Sequence, residues 1–174
     1  MVASEVGEPI ELVNTMPEAG QALLREVSPI RKVPVGVFGD RTIFDSRAII
    51  HWLVTTRGWG DLAPPHDAWK EENLLNAIDA AADSVIQVFY LRRDGVAVDG
   101  SVFAKRQLER AEAIFKWVAP QLRTDALGLP EISIVCMLDW MDFRKQYPTE
   151  SAGCERVRAT WRERVSLAQT RPHA

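Results

Sequence analysis

The chain has 174 residues, 47% of them hydrophobic and 26% charged, with a formal net charge of -3, enough for one compact domain or two small ones around a buried core. Lys and Arg are interspersed with Asp and Glu instead of gathering on a basic face, which argues against nucleic-acid binding. Cys136 and Cys154 are too few for a disulfide framework, and His51, His66 and His173 are scattered, so neither staples nor a metal site is expected. No apolar run approaches bilayer-spanning length and the first residues lack the parts of a secretory signal, so the expectation is a cytoplasmic protein with no membrane association.

In chain order, Val2 to Gly7 reads as the last turn of a helix closed by a glycine, too short to hold itself together. Ile10-Glu11-Leu12-Val13-Asn14 alternates apolar and polar residues as a strand does. Thr15 as N-cap and Pro17 near the first helical position predict a short helix to Val27. After Lys32, the strand Val33 to Val37 is entered at Pro34, turns at Gly39-Asp40 and returns through Thr42 to Phe44 as a hairpin. Asp45-Ser46 then opens a helix that runs to about Thr56 and stops at Gly58, with Ile49, Ile50, Trp52 and Leu53 on its inward side.

Trp59-Gly60-Asp61-Leu62-Ala63-Pro64-Pro65-His66 has linker composition, and the pattern beyond it is purely helical, so the domains are expected at 1-58 and 67-174. Asp67 opens a long helix with Leu74, Leu75, Ile78, Ala82, Val85, Ile86 and Phe89 at helical spacing, ended by Asp94-Gly95. A second helix spans about Ser101 to Leu122 with Leu108, Ala111, Ile114, Phe115 and Val118 inward. Glu131 to Lys145 is apolar on nearly every side, the mark of a helix in the middle of a bundle, with Pro148 as its stop. A last helix, roughly Cys154 to Ala168, directs Val157, Trp161 and Val165 inward, and Pro172 closes the chain's ordered pattern.

Two positions invite chemistry and each has a structural reading beside the functional one. Pro34 either starts an edge strand or forms a cis bond with Val33 that turns the Val33 amide and carbonyl outward towards an extended peptide. Asp45 and Ser46 are good N-cap residues, worth about 1 kcal/mol, and the same unpaired amides and helix dipole make a carboxylate site with a hydroxyl donor. Lys32 is either a solvated surface lysine or a carboxylate partner. Cys136 reads as a small apolar filler and Cys154 as incidental. Asp79, Asp83, Gln87, Tyr90 and Arg93 form the outward face of the first long helix, and none is assigned a catalytic role.

The block Lys32 to Ile50, the segment Leu129-Pro130-Glu131-Ile132 through Leu138-Asp139-Trp140-Met141-Asp142-Phe143-Arg144, and the tail from Trp161 to Pro172 together resemble the glutathione S-transferase family, bacterial members in particular. The resemblance implies an α+β chain: an incomplete thioredoxin-like domain, lacking its first strand and most of its first helix, followed by an all-α helical bundle domain. It implies that glutathione, as co-substrate, is held by Lys32 at its glycyl carboxylate, Val33 and Pro34 at its cysteinyl unit, and Asp45 and Ser46 at its γ-glutamyl group. A homodimer and a small hydrophobic electrophile are the further partners it implies.

The family's central helix usually opens on a Ser or Thr cap with an Asp three residues on; Gly128 and Glu131 stand in those places. The family's activating Ser, Tyr or Cys has no match here: Ser4 and Ser28 fall in other places, so no catalytic residue is assigned. Three readings follow: a transferase whose activating donor lies upstream of Met1, a non-catalytic ligand-binding or dimerisation module, and a thiol-disulfide or ring-cleaving enzyme, which would require an N-terminal Cys that this sequence does not contain.

Overall fold

A computed structural model describes residues 1–146 and 151–173, and the chain divides into two compact units, Met1–Asp61 and Leu62–Ala174.

Unit one begins with helix α1 (Val2–Glu5), a single turn whose Val2, Ala3 and Val6 are buried. Its stability is tertiary: Glu8 N donates to Ala3 O at 2.8 Å, Asp61 N donates to Glu5 O at 3.1 Å, and Arg57 is ion-paired with Glu8. Gly60 serves this junction, since a Cβ there would lie 2.1 Å from Glu5 O. Residues 9–14, expected as a strand, are irregular, and among the described residues their backbone groups form no backbone hydrogen bond. The apolar alternation is present, but a strand exists only through a partner ladder, and among the described residues no strand pairs with this segment.

Helix α2 (Glu18–Val27) is capped by Pro17 instead of the expected Thr15. No side chain caps it; just before it, Asn14 Oδ1 accepts from Met16 N at 2.9 Å in a local turn. The helix packs closely on that turn at Gly20, where a Cβ would lie 2.2 Å from Asn14 O. Strands β1 (Val35–Phe38) and β2 (Arg41–Phe44) form an antiparallel hairpin through Gly39-Asp40, with Val35 opposite Phe44 and Phe38 opposite Arg41. This pair is the whole of the sheet among the described residues. Helix α3 (Ser46–Arg57) follows at once and ends at Gly58; its Leu53 is buried and its Trp52 stacks on Phe38 with ring centroids 3.8 Å apart.

Unit two is helical. Helix α4 (Ala68–Arg93) is opened by Asp67, whose Oδ1 accepts from the amides of Trp69 and Lys70, both at 3.1 Å. Its stripe of Leu74, Leu75, Ile78, Ala81, Val85 and Val88 is buried, while Ala82, Ile86 and Phe89 flank it. One 18-residue window of α4 reaches a mean hydropathy of 1.3, so this helix is long and apolar enough by length and composition to cross a membrane, which corrects the reading that no run approached that length. It packs on helices α5 (Val102–Val118) and α6 (Leu129–Arg144), the position of a core helix in a bundle.

Helix α5 is capped by Ser101 and gives way at Pro120 to a 3-10 turn, Ala119–Gln121, ending earlier than its apolar rhythm suggested. Helix α6 is central: Ile134 and Val135 are fully buried and it touches α4, α7 (Ala152–Trp161) and α8 (Val165–Ala168). It stops at Lys145 in a left-handed conformation; the expected stop Pro148 lies outside the described residues. The last expected helix is two, broken after Trp161, and Val165 is solvent-exposed instead of inward.

Buried charge fastens α6. Glu131 is 1% exposed and accepts from Gly128 N at 2.9 Å, Arg123 N at 2.9 Å and the Arg123 guanidinium at 3.2 Å. It thus performs its half of a capping box although Gly128 has no side chain to perform the other. Further along, Asp139 lies 3.7 Å from Arg158 and 3.4 Å from Arg171, tying the final helices to the core.

Candidate functional site

The hairpin register decides where the sequence-singled residues meet. Val35 pairs with Phe44 as the last rung of the ladder, so Pro34 and Val33 on one strand and Asp45 and Ser46 on the other continue from the open end of the hairpin. The Val33–Pro34 bond is cis, and Val33 is 62% exposed. Lys32 follows Arg31, which adopts φ 50°, and its side chain is exposed.

Asp45 is the N-cap of α3, its Oδ1 accepting from Arg47 N at 2.9 Å. Ser46 is therefore the first helical residue, one place past the cap, and its hydroxyl is exposed. No acidic residue occupies the first turn of α3, and the Asp45 carboxylate meets the positive end of its dipole. Asp45 itself adopts φ 79° and ψ 134°, a conformation that costs a non-glycine residue about 1–3 kcal/mol and is retained where the surroundings, often a ligand site, require it. This strain is absent from any sequence signal, because capping chemistry favours Asp regardless of its φ.

Beside this end of the hairpin lies a groove of about 920 Å³, bordered by residues 8–13 on one side and by Val33 to Gly39 on the other, with Leu23 of α2 and Trp52 of α3 also lining it. Sequence reasoning, which expects a strand at Ile10 to Asn14, does not foresee an open groove of this size.

The remaining candidates belong to other elements of the chain. Cys136 and Cys154 both belong to unit two. Burial pushes the Cys136 thiol up to about 12 and that of Cys154 up as well, so neither is a nucleophile near neutral pH. Ser28 is buried, and Ser4 is on α1. Asp79, Asp83, Gln87, Tyr90 and Arg93 are exposed on α4, and Arg93 is engaged by Asp94 at 2.8 Å and stacks over Tyr90 at 4.6 Å. Among the described residues no cluster of potential ligands could hold a metal ion.

No protein-family model and no curated protein matches the chain. Solved structures do. A glutathione S-transferase from Methylobacterium radiotolerans, in complex with glutathione sulfonate, aligns over 99% of this chain and 87% of its own with a TM-score of 0.80 at 20% identity. The fold is that of glutathione S-transferases. A second, from Methylobacillus flagellatus with glutathione bound, covers 99% of this chain and 91% of its own with a TM-score of 0.77 at 21% identity. Glutathione S-transferase 1-6 from Anopheles dirus covers 97% and 86% with a TM-score of 0.70 at 17% identity. The α+β architecture with a thioredoxin-like first unit and a helical second unit is thereby established, at identities too low to carry more than the fold.

Proposed function

We propose that the chain binds glutathione at the open end of the hairpin. The observation that carries this reading is that two structures of the same fold, aligned over 99% of this chain, hold glutathione or its sulfonate. The residues fit the ligand's chemistry. The exposed backbone of Val33, beside Pro34, can pair with an extended tripeptide at its cysteinyl unit, as strands pair with peptides at sheet edges. Asp45 offers an anion to the γ-glutamyl ammonium, and Ser46, at the dipole's positive end, offers a hydroxyl to its carboxylate. Lys32 supplies a cation to the glycyl carboxylate.

The fuller activity in this reading is transfer of the glutathione thiol to a small hydrophobic electrophile, by a cytoplasmic homodimer. A thiol of pKa about 8.5 is mostly protonated at neutral pH, and each unit of depression takes about 1.4 kcal/mol of preferential thiolate stabilisation. No residue of this chain is assigned that task, so conjugation is proposed for the chain carried on a polypeptide that supplies the donor. A second reading is a binding or dimerisation module without chemistry.

Calorimetric titration of the full chain with glutathione tests the first step. Binding that weakens about tenfold in both Asp45→Ala and Ser46→Ala supports it, each loss being equivalent to about 1.4 kcal/mol. Heat of binding that is absent, or unchanged in both variants, overturns it. A chromogenic aryl-halide assay at saturating glutathione, run on this chain and on an in-frame extended one, then separates the two readings: turnover in the extended chain supports the transferase, and binding without turnover in both supports the module.

A further inference from the structure

Beyond glutathione, the last turns of α4 and α6 lie side by side in unit two and bring rings and cations together. Phe89 meets Trp140 edge to face with centroids 5.5 Å apart, and Tyr90 lies 5.5 Å from Phe89 on its other side chain neighbour. The Arg144 guanidinium lies over Phe143 at 4.8 Å and over Phe89 at 5.5 Å, and that of Arg93 lies over Tyr90 at 4.6 Å. Stacking of this kind fixes the plane of a guanidinium, while its N–H donors, which point outward in that plane, stay available to a ligand. Arg92 donates to Gln146 Oε1 at 3.4 Å across the two helix ends.

Charge narrows the ligand. The chain has a formal net charge of -3, yet Arg92, Arg93, Arg144 and Lys145 stand together at these two helix ends. The nearby carboxylates are engaged, Asp94 with Arg93 at 2.8 Å and Asp142 with Arg158. Among the described residues, Arg92, Arg144 and Lys145 have no carboxylate partner. A helix C-terminus accounts for a cation in its last turn, worth about 0.3–1 kcal/mol, but not for the rings under it. An aliphatic anion leaves those rings, with Tyr90 48% exposed, without a partner, and a neutral aromatic leaves the guanidinium donors without one. We infer that this end of unit two binds a small planar aromatic carboxylate, its ring against the aromatic group of Phe89, Tyr90 and Trp140 and its carboxylate on the planar fork of Arg144. Arg92 and Lys145 add the field that draws the anion in. The inference does not depend on glutathione binding, because no residue of unit one takes part in it.

The probe is cinnamate, titrated calorimetrically into the full chain without glutathione. The expected result is saturable binding that weakens at least about tenfold in Arg144→Gln, which removes the charge-assisted hydrogen bonds. Arg144→Lys keeps the charge but not the fork, and is expected to bind with an affinity between those of the parent and Arg144→Gln. The Arg144 side chain is exposed, so both variants are expected to keep the parent's circular dichroism spectrum and urea midpoint. Cinnamyl alcohol has the same ring without the charge, and cyclohexanepropionate has the charge without an aromatic ring; each is expected to bind at least about tenfold more weakly than cinnamate. Four results overturn the inference: no binding of cinnamate at millimolar concentration; equal binding of the alcohol, which marks a merely apolar surface; equal binding of cyclohexanepropionate, which marks a general anion patch; and an affinity unchanged in both Arg144 variants, which places the binding elsewhere on the chain.

Discussion

The two units bury their apolar residues to very different extents. In unit two, Ile134, Val135, Val118 and Val157 are at 0% exposure, and α4 packs against both α5 and α6. In unit one the described hydrophobic core is Val2, Ala3, Val6, Leu24 and Leu53, while Ile10, Leu12, Val13, Met16 and Val37 are exposed. Helices satisfy their backbones within themselves and need only a packed face, whereas a sheet is satisfied only by neighbouring strands. A bundle is therefore self-sufficient at this length, and a two-stranded hairpin with an unpaired neighbouring segment is marginal.

The contrast can be broken most forcefully at α6. Glu131→Ala strands the amides of Arg123 and Gly128 and the Arg123 guanidinium, and is expected to cost about 3–5 kcal/mol in urea unfolding. Leu138→Ala, at a side chain 1% exposed, is expected to cost about 2–5 kcal/mol in the same measurement. If either variant loses under about 1 kcal/mol, the bundle is not the well-packed partner described above.

Alkaline pH sharpens the comparison from another side. The Cys136 thiol is held up to about 12 by burial against an ordinary value of 9.0, so the folded state keeps its proton where the unfolded chain has lost it. Its contribution to stability is fully present below about 9 and is lost as pH rises towards about 12. Cys136→Ala should flatten the fall of stability over that window, seen in denaturation midpoints at successive pH values. An unchanged slope removes the thiol from the account.

At the candidate site, Asp45→Gly is expected to raise stability by up to about 1 kcal/mol, because glycine adopts a positive φ freely and is itself a tolerable N-cap. Glutathione affinity should fall about tenfold in the same variant, so folding and binding would move in opposite directions. If both fall together, Asp45 is a structural cap and nothing more. The smallest effect is expected at Leu12→Ala, within about 0.5 kcal/mol, since a side chain 83% exposed has little burial to lose.

Local chemistry alone determined much of this protein. The Gly39-Asp40 turn, the cap at Asp45, the opening of α4 at Asp67 and the apolar circumference of α6 follow from residue types and periods of a few positions, and each appears where those rules place it. The grouping of Pro34 with Asp45 needed only the hairpin register, which a tight turn sets. Tertiary structure decided the rest. Residues 9–14 have the pattern of a strand and, among the described residues, no partner to make them one; α1 persists through Asp61 and Glu8 in spite of its four residues; the final helix breaks after Trp161. The φ of Asp45 and the groove beside β1 are likewise products of what neighbours do or fail to do, because backbone pairing and strain depend on contacts distant in sequence that no local period encodes.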